Sequence, residues 1–167
     1  SGGIQNIGCT ARDLLNHGRD VREELKGHDA ETLNEFFLSE QEKNPSFRFE
    51  IDRDNDNRLK RCFWADAISR RSYANFGDVV VFDTTYNTNK YSMIFAPFIG
   101  VNHHGQSIVF GSAFLSDETF ESFVWLFTKW LSAMPTGAPK LLIIDQDPAI
   151  AKAIRHSLPH TFHRLCI

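Results

Sequence analysis

An α/β domain built on a mixed sheet is predicted by three features of this 167-residue sequence. Two short runs, 79–82 and 141–144, are wholly apolar and each is followed by an aspartate, as in strands covered on both faces. Two longer strands, 93–101 and 107–114, flank Asn102-His103-His104-Gly105, a turn with glycine available for positive φ, and the three strands from 79 to 114 make an antiparallel meander. Between this meander and the run at 141–144 lies a helix over 118–134, with Phe120, Phe123, Val124, Phe127, Trp130 and Leu131 on one broad face and Pro135 and Gly137 ending it. Pro148 opens another helix over 149–157, and 161–167 reads as a fifth strand. The order is strand, strand, strand, helix, strand, helix, strand. With the first and fourth strands adjacent and parallel, this βββαβαβ order is that of the ribonuclease H-like fold.

The preceding residues read as a helical segment and a hairpin. Thr10 or Asp13 caps a short helix through Leu14 and Leu15, and Gly27 is a natural break. Asp29 precedes a helix over 30–43, where Leu33, Phe36 and Phe37 keep an i, i+3, i+4 rhythm until Pro45 stops it. Phe47, Phe49 and Ile51 alternate with charged residues, the turn-rich DRDNDN follows, and 59–64 resumes an extended apolar pattern. A helix is expected over 64–75, closed by Gly77. The predicted organisation is a helical linker at 1–46, a hairpin and helix at 47–75 leading into the core, and an α/β core at 76–167 that is incomplete at its carboxyl end.

At 42% hydrophobic and 23% charged, the chain is long enough to bury a core without staples, which excludes collagen, simple disorder and a disulfide miniprotein. No window approaches the roughly 18 to 20 apolar residues of a membrane span, and SGGIQNIGCT lacks a basic region before an apolar run. A net charge of -3 provides no uniform positive field, so any nucleic-acid affinity is local or lies outside this chain. Cys9, Cys62 and Cys166 are odd in number and far from any C-x-x-C spacing, which fits reduced thiols in a nuclear or cytosolic protein.

In the predicted topology Asp83 and Asp145 meet at the carboxyl ends of the first and fourth core strands. Converging carboxylates repel and stay ionised near neutral pH mainly when a cation lies between them. Hard oxygen donors select Mg²⁺ or Mn²⁺, and two such ions activate the nucleophile and stabilise the leaving oxygen in phosphodiester transfer. The bland alternative is that both are ordinary strand-end or cap residues. Asp147 competes with Asp145 but is better placed as the cap of the helix that Pro148 opens.

The segments FDTTYNTNKY (82–91), FAPFIGVNHHGQSIVFGSAFLSDET (95–119), FVWLFTKWLSAM (123–134), DQDPAIAKAI (145–154) and FHRLCI (162–167) closely resemble the transposase-like domain of the plant far-red-impaired-response family, which derives from Mutator-like element transposases. The resemblance takes in 47–80 as well, and the opening SGG with its helical segment looks like the stretch joining that family's amino-terminal zinc-dependent DNA-binding module to this domain. It implies an Asp-Asp-Glu core in which Asp83 matches the first metal-binding carboxylate and Asp145 the second, as catalytic residues either vestigial or active. The third, a Glu on a helix beyond the fifth strand, has no counterpart before Ile167, and a family C-x-x-H element is cut after Cys166, leaving that thiol as half of a metal-binding pair. The implied protein is a nuclear, DNA-binding transcription regulator in light signalling that carries zinc in modules outside this chain. It would engage DNA mainly through those regions and pair with itself or with family members, without a membrane or a small-molecule substrate. The alternative is an active transposase that cuts and joins DNA with a divalent metal.

Other motifs carry bland readings. Asp52, Asp54 and Asp56 mimic the start of a calcium loop, but Asn57 stands where the turn wants glycine and Phe63 where a bidentate Glu belongs, so a solvated hairpin turn is the better reading. His103 and His104 are adjacent in a turn and rarely aim at one centre. His163 and Cys166 have half-site zinc spacing, against which stands a strand-end histidine with a buried thiol. Arg58, Lys60, Arg61, Arg70 and Arg71 form the basic concentration, interleaved with acids, and read as a salt-bridged face or a DNA-backbone contact. Trp125 and Trp130 read as helix-to-sheet packing. Thr84, Thr85 and Tyr86 either orient Asp83 or are plain strand residues.

Overall fold

The computed structural model describes residues 19–25, 30–84 and 93–166. The predicted first helix through Leu14 and Leu15, the break at Gly27, and Asp29, Thr85 and Tyr86 lie outside the described residues. The elements are α1 (Arg19–Leu25), α2 (Ala30–Lys43), β1 (Arg48–Arg53), β2 (Leu59–Ala65), α3 (Ala67–Phe76), β3 (Val79–Phe82), β4 (Ile94–Val101), β5 (Ser107–Leu115), α4 (Phe120–Ala133), β6 (Leu141–Ile144), α5 (Pro148–Ser157) and β7 (Phe162–Leu165). One seven-stranded mixed sheet runs β1-β2-β5-β4-β3-β6-β7. From β3 onward the predicted order of strands and helices is present, and β3 pairs with β6 in parallel.

The hairpin departs from the expectation. Rather than standing ahead of the core, it extends the same sheet: β2 pairs antiparallel with β1 and, on its other side, with β5, Cys62 facing Phe114. The helix expected from residue 64 begins at Ala67, because Trp64 and Ala65 complete β2 and Asp66 caps the helix by accepting from the Ser69 amide at 2.7 Å. Arg61 through Ala65 are all buried, the signature of a strand with neighbours on both edges and cover on both faces. That run of five also hides the period by which strand and helix are told apart.

Alternation along the strands builds two cores, one on each face of the sheet. Val80 and Phe82 of β3 join Tyr73, Phe123, Phe127, Trp130, Ile150 and Ile154 beneath α3, α4 and α5. Val81 joins Phe37, Trp64, Phe95 and Phe114 beneath α1 and α2. The apolar face of α4 lies flat on the sheet, with the Trp130 indole stacked on the Phe98 ring at 4.2 Å between centroids and 1° between planes. Room for it is made at a bulge where β5 slips one residue against β4. There Gly111 has φ +153°, and a Cβ would lie 3.0 Å from the Phe63 ring and 3.1 Å from Trp130. Trp130 is fully buried as expected, while Trp125 is half-buried with the Arg61 guanidinium 5.4 Å from its ring.

Candidate acidic site at the carboxyl ends of the parallel strands

Three short strands set the site. In β3, β6 and β7 the parallel register pairs Phe82 with Ile144 and Ile144 with Leu165, so the residues that follow, Asp83, Asp145 and Cys166, come next in one row across the sheet. Neighbouring strands are about 4.8 Å apart, which brings the first two carboxyl groups within reach of one another. Asp83 and Asp145 lie close enough for the Asp145 carboxyl to act directly on that of Asp83. Cys166 prolongs the ladder, its amide donating to the Ile144 carbonyl at 2.7 Å. All three site residues named from the sequence therefore fall at one end of the sheet. Asp147 is engaged as the α5 cap, accepting from the Ala149 amide at 2.8 Å, as expected.

The two aspartates share their site at an electrostatic cost. Burial, then the hydrogen bond and negative charge of Asp145, push the Asp83 carboxyl up to about 7, and the Thr84 amide, donating to Asp83 Oδ1 at 2.8 Å, pulls it partly back. Near neutral pH the pair accordingly holds a proton where two negative charges would otherwise face each other. The donors are hard carboxylate oxygens, the class that suits Mg²⁺ or Mn²⁺, and a divalent cation in place of that proton would allow both groups to ionise. No group of three or more His, Cys, Asp or Glu side chains able to hold a metal occurs among the described residues.

One residue beside the site went unrecognised in the sequence. Glu118 immediately precedes the α4 cap and read only as the start of that helix, yet its Oε1 accepts from the Thr84 hydroxyl at 2.9 Å, joining the α4 entry to the residue after Asp83. Thr84 is thus held from two sides, by Asp83 through its amide and by Glu118 through its hydroxyl. The entry to α4 is itself anchored. Thr119 caps the helix by accepting from the Ser122 amide at 3.2 Å, and Asp117 accepts from the hydroxyls of Thr119 and Ser122. Arg61, 8% exposed, donates to Ser122 Oγ at 2.8 Å and to Asp52 Oδ2 at 2.7 Å. Burial raises the Asp117 carboxyl, but the hydrogen bonds from Ser122 and Thr119 and the Arg61 charge outweigh it and leave it below the ordinary range. No sequence period marks this chain of contacts, because it joins residues up to 61 positions apart.

The remaining motifs are placed away from these acids or are otherwise engaged. Asp54 Oδ1 accepts the amides of Asp56 and Arg58, and the Arg58 guanidinium pairs with Asp56 at 2.8 Å, while Asp52 is taken by Arg61. Asn57 adopts φ +63°, the left-handed conformation that asparagine tolerates best after glycine, so the DRDNDN segment is a hairpin turn. His103 and His104 are exposed in the β4–β5 turn with rings 4.0 Å apart. His163 and Cys166 are three residues apart in extended chain, a spacing that sends side chains to opposite faces. The Cys62 thiol is fully buried and pushed up to about 12, which makes it inert at neutral pH. Among the described residues no helix is long and apolar enough to cross a membrane.

Residues 79–167, from the first parallel strand through the acidic row, match the family model of the MULE transposase domain. The chain belongs to that family. It is also similar, over nearly its whole length, to proteins of Arabidopsis thaliana. Protein FAR1-RELATED SEQUENCE 5 is 41% identical over 165 residues, 99% of this chain and 21% of that protein. Protein FAR-RED IMPAIRED RESPONSE 1 is 42% identical over 98% of this chain and 20% of its own length, and Protein FAR1-RELATED SEQUENCE 4 is 42% identical over 90% of this chain and 21% of its own. The chain spans about a fifth of the length of these curated relatives.

Proposed function

We propose that this chain is the transposase-derived central domain of a nuclear, DNA-binding transcription regulator acting in plant light responses, with a ribonuclease H-like core. The observation that carries the reading is similarity at about 40% identity, across 98 to 99% of the chain, to Protein FAR-RED IMPAIRED RESPONSE 1 and Protein FAR1-RELATED SEQUENCE 5. The adjacent parallel β3 and β6 support the core assignment. In this reading the domain serves as a rigid scaffold, and DNA is engaged mainly by regions beyond it.

A second reading, a working transposase, is favoured by the retained pair Asp83 and Asp145 at adjacent strand ends. A divalent cation held there would supply Lewis-acid activation of a phosphodiester. The chain's own part is to present both carboxylates in register, to fix Asp83 Oδ1 with the Thr84 amide, and to steady Thr84 through Glu118. Cys166 would contribute as half of a metal-binding pair completed further along a longer chain. The deciding experiment measures strand transfer and DNA binding on one preparation of the full-length protein with Mg²⁺. Binding without strand transfer, unchanged in Asp83→Ala with Asp145→Ala, supports the regulator. Strand transfer abolished by both substitutions establishes the transposase.

A further inference from the structure

The basic residues that look like one cluster in the sequence separate into two populations. Arg58 is paired with Asp54 and Asp56, Arg61 with Asp52, Arg53 with Glu31, Lys43 with Glu40 and Lys140 with Asp78. Arg48, Arg70 and Arg71 have no carboxylate partner among the described residues. Arg70 and Arg48 lie close enough to repel: burial first, and then the Arg48 charge, lower the Arg70 guanidinium below its ordinary value. Asp66, four residues before Arg70 on the same helix, is turned to its capping bond with the Ser69 amide.

Two of these arginines, Arg70 and Arg48, are held by the backbone. Arg70 Nε donates to the Ala133 carbonyl at 2.8 Å, and a terminal nitrogen donates to the Ser46 carbonyl at 3.0 Å. Arg48 donates to the Pro45 carbonyl at 2.6 Å and more weakly to the Phe47 carbonyl. Five donors per guanidinium leave N–H groups over in both, and Arg71 is exposed. The neutral carbonyls fix the forks without cancelling their charge, so little side-chain entropy would remain to be lost when an anion binds. Arg70 and Arg71 line an open groove of about 460 Å³ with Asn44, Ser46, Ala67 and Pro135. Its lining combines small side chains with amide and guanidinium donors, and no aromatic ring lines it.

We propose that Arg70 and Arg71, with Asn44, form a seat for the phosphodiester backbone of a nucleic-acid duplex, with the Arg48 charge beside Arg70 adding to its field. The open shape suits a continuous polyanion rather than a small metabolite, which an enclosed pocket would hold. Without an aromatic platform for unpaired bases, contact is to backbone and carries no sequence preference. The seat lies beside the carboxyl end of α4, whereas Glu118 and the acidic row lie beside its amino end, about 20 Å away for a 14-residue helix. It is therefore separate from the acidic site. The inference rests on the reading of this chain as part of a DNA-associated protein and names the surface with which the domain itself takes part.

The test is fluorescence anisotropy of the chain with a duplex of about 24 base pairs and arbitrary sequence, from about 50 to 200 mM salt. Arg71→Ala is expected to weaken binding about 3- to 10-fold at low salt and to flatten the slope of log K against log salt by about 0.9, the share of one phosphate contact. Arg71→Lys should keep most of the affinity, and Arg58→Ala, which removes an arginine already neutralised by Asp56, should change it less than about twofold. Thermal unfolding of each variant checks that the fold is intact; Arg71, exposed and without a structural hydrogen bond among the described residues, is the least disruptive of the three to replace. Duplex binding that Arg71→Ala leaves at the wild-type level, or that Arg58→Ala weakens equally, overturns the seat while DNA engagement stands. No duplex binding even at about 50 mM salt overturns the seat, and the DNA reading then depends on the full-length protein. Competition by a polyglutamate of equal charge as effective as unlabelled duplex overturns the assignment to a phosphodiester.

Discussion

At the scale of single residues, Asp83 is the group whose chemistry depends most on its surroundings. Its carboxyl titrates near 4 in an unfolded chain and at about 7 in the fold. Between those values the native state binds the extra proton, so this group favours folding most below about pH 4, and that contribution is lost as pH rises through 7. Asp83→Asn keeps a hydrogen-bonding side chain beside Asp145 without the titration. Its melting temperature relative to wild type is therefore expected to rise between pH 5 and pH 8, by several degrees; a difference that stays flat across that range in parallel thermal scans would mean that the pair does not share a proton. The same repulsion makes a divalent cation and a proton competitors. Cys62, by contrast, is a packing residue despite its thiol. The aspartates could be picked out in the sequence because each ends an uncharged run, whereas Glu118 could not, since its partner Thr84 is 34 positions away.

At the scale of elements, the hairpin and α4 are locked together by one buried guanidinium. Arg61 joins Asp52 of β1 to Ser122 of α4, and through Ser122 to Asp117. Arg61→Ala strands Asp52 and unties the α4 entry, and the expected loss is about 2 to 4 kcal/mol in urea unfolding. Asp52→Asn, which keeps an acceptor for Arg61, should cost less than half as much. The contact of α4 with the sheet depends on a different force. Trp130 fills the space above Gly111 and stacks on Phe98, and Trp130→Ala is expected to cost about 3 to 5 kcal/mol, because neither neighbour can collapse into the space left by an indole. A cost below about 1 kcal/mol would show that this stacking contributes little. Neither substitution replaces a residue that contacts Asp83 or Asp145 directly, but Arg61 is linked to Thr84 through the α4 entry and Glu118, so Trp130→Ala is the cleaner test of packing alone.

For the whole molecule, the balance of charge bears on the proposed association with DNA. At a net charge of -3 the chain repels a polyanion overall, and any attraction is confined to local basic groups. The isolated chain is expected to bind duplex weakly and to lose it between about 50 and 200 mM salt, whereas a longer protein with an amino-terminal DNA-binding module should hold on. Tight, sequence-selective binding by residues 1–167 at about 200 mM salt would contradict this.

What the amino-acid sequence determined by itself were the features that local chemistry specifies. Uncharged runs marked β3 and β6, a broad apolar face marked α4, a proline marked the first turn of α5, and the aspartates after the two runs marked the acidic row. Only the tertiary structure decided that β1 and β2 extend the same sheet, since strand neighbours are chosen by pairing between distant segments and a strand buried on both faces carries no alternation to read. It also decided which arginines are neutralised. Arg58 and Arg71 look alike in a sequence, but a carboxylate neutralises a guanidinium only where folding brings the two into contact, so the difference between the salt-bridged Arg58 and Arg71, which has no carboxylate partner among the described residues, arises only once the chain is folded.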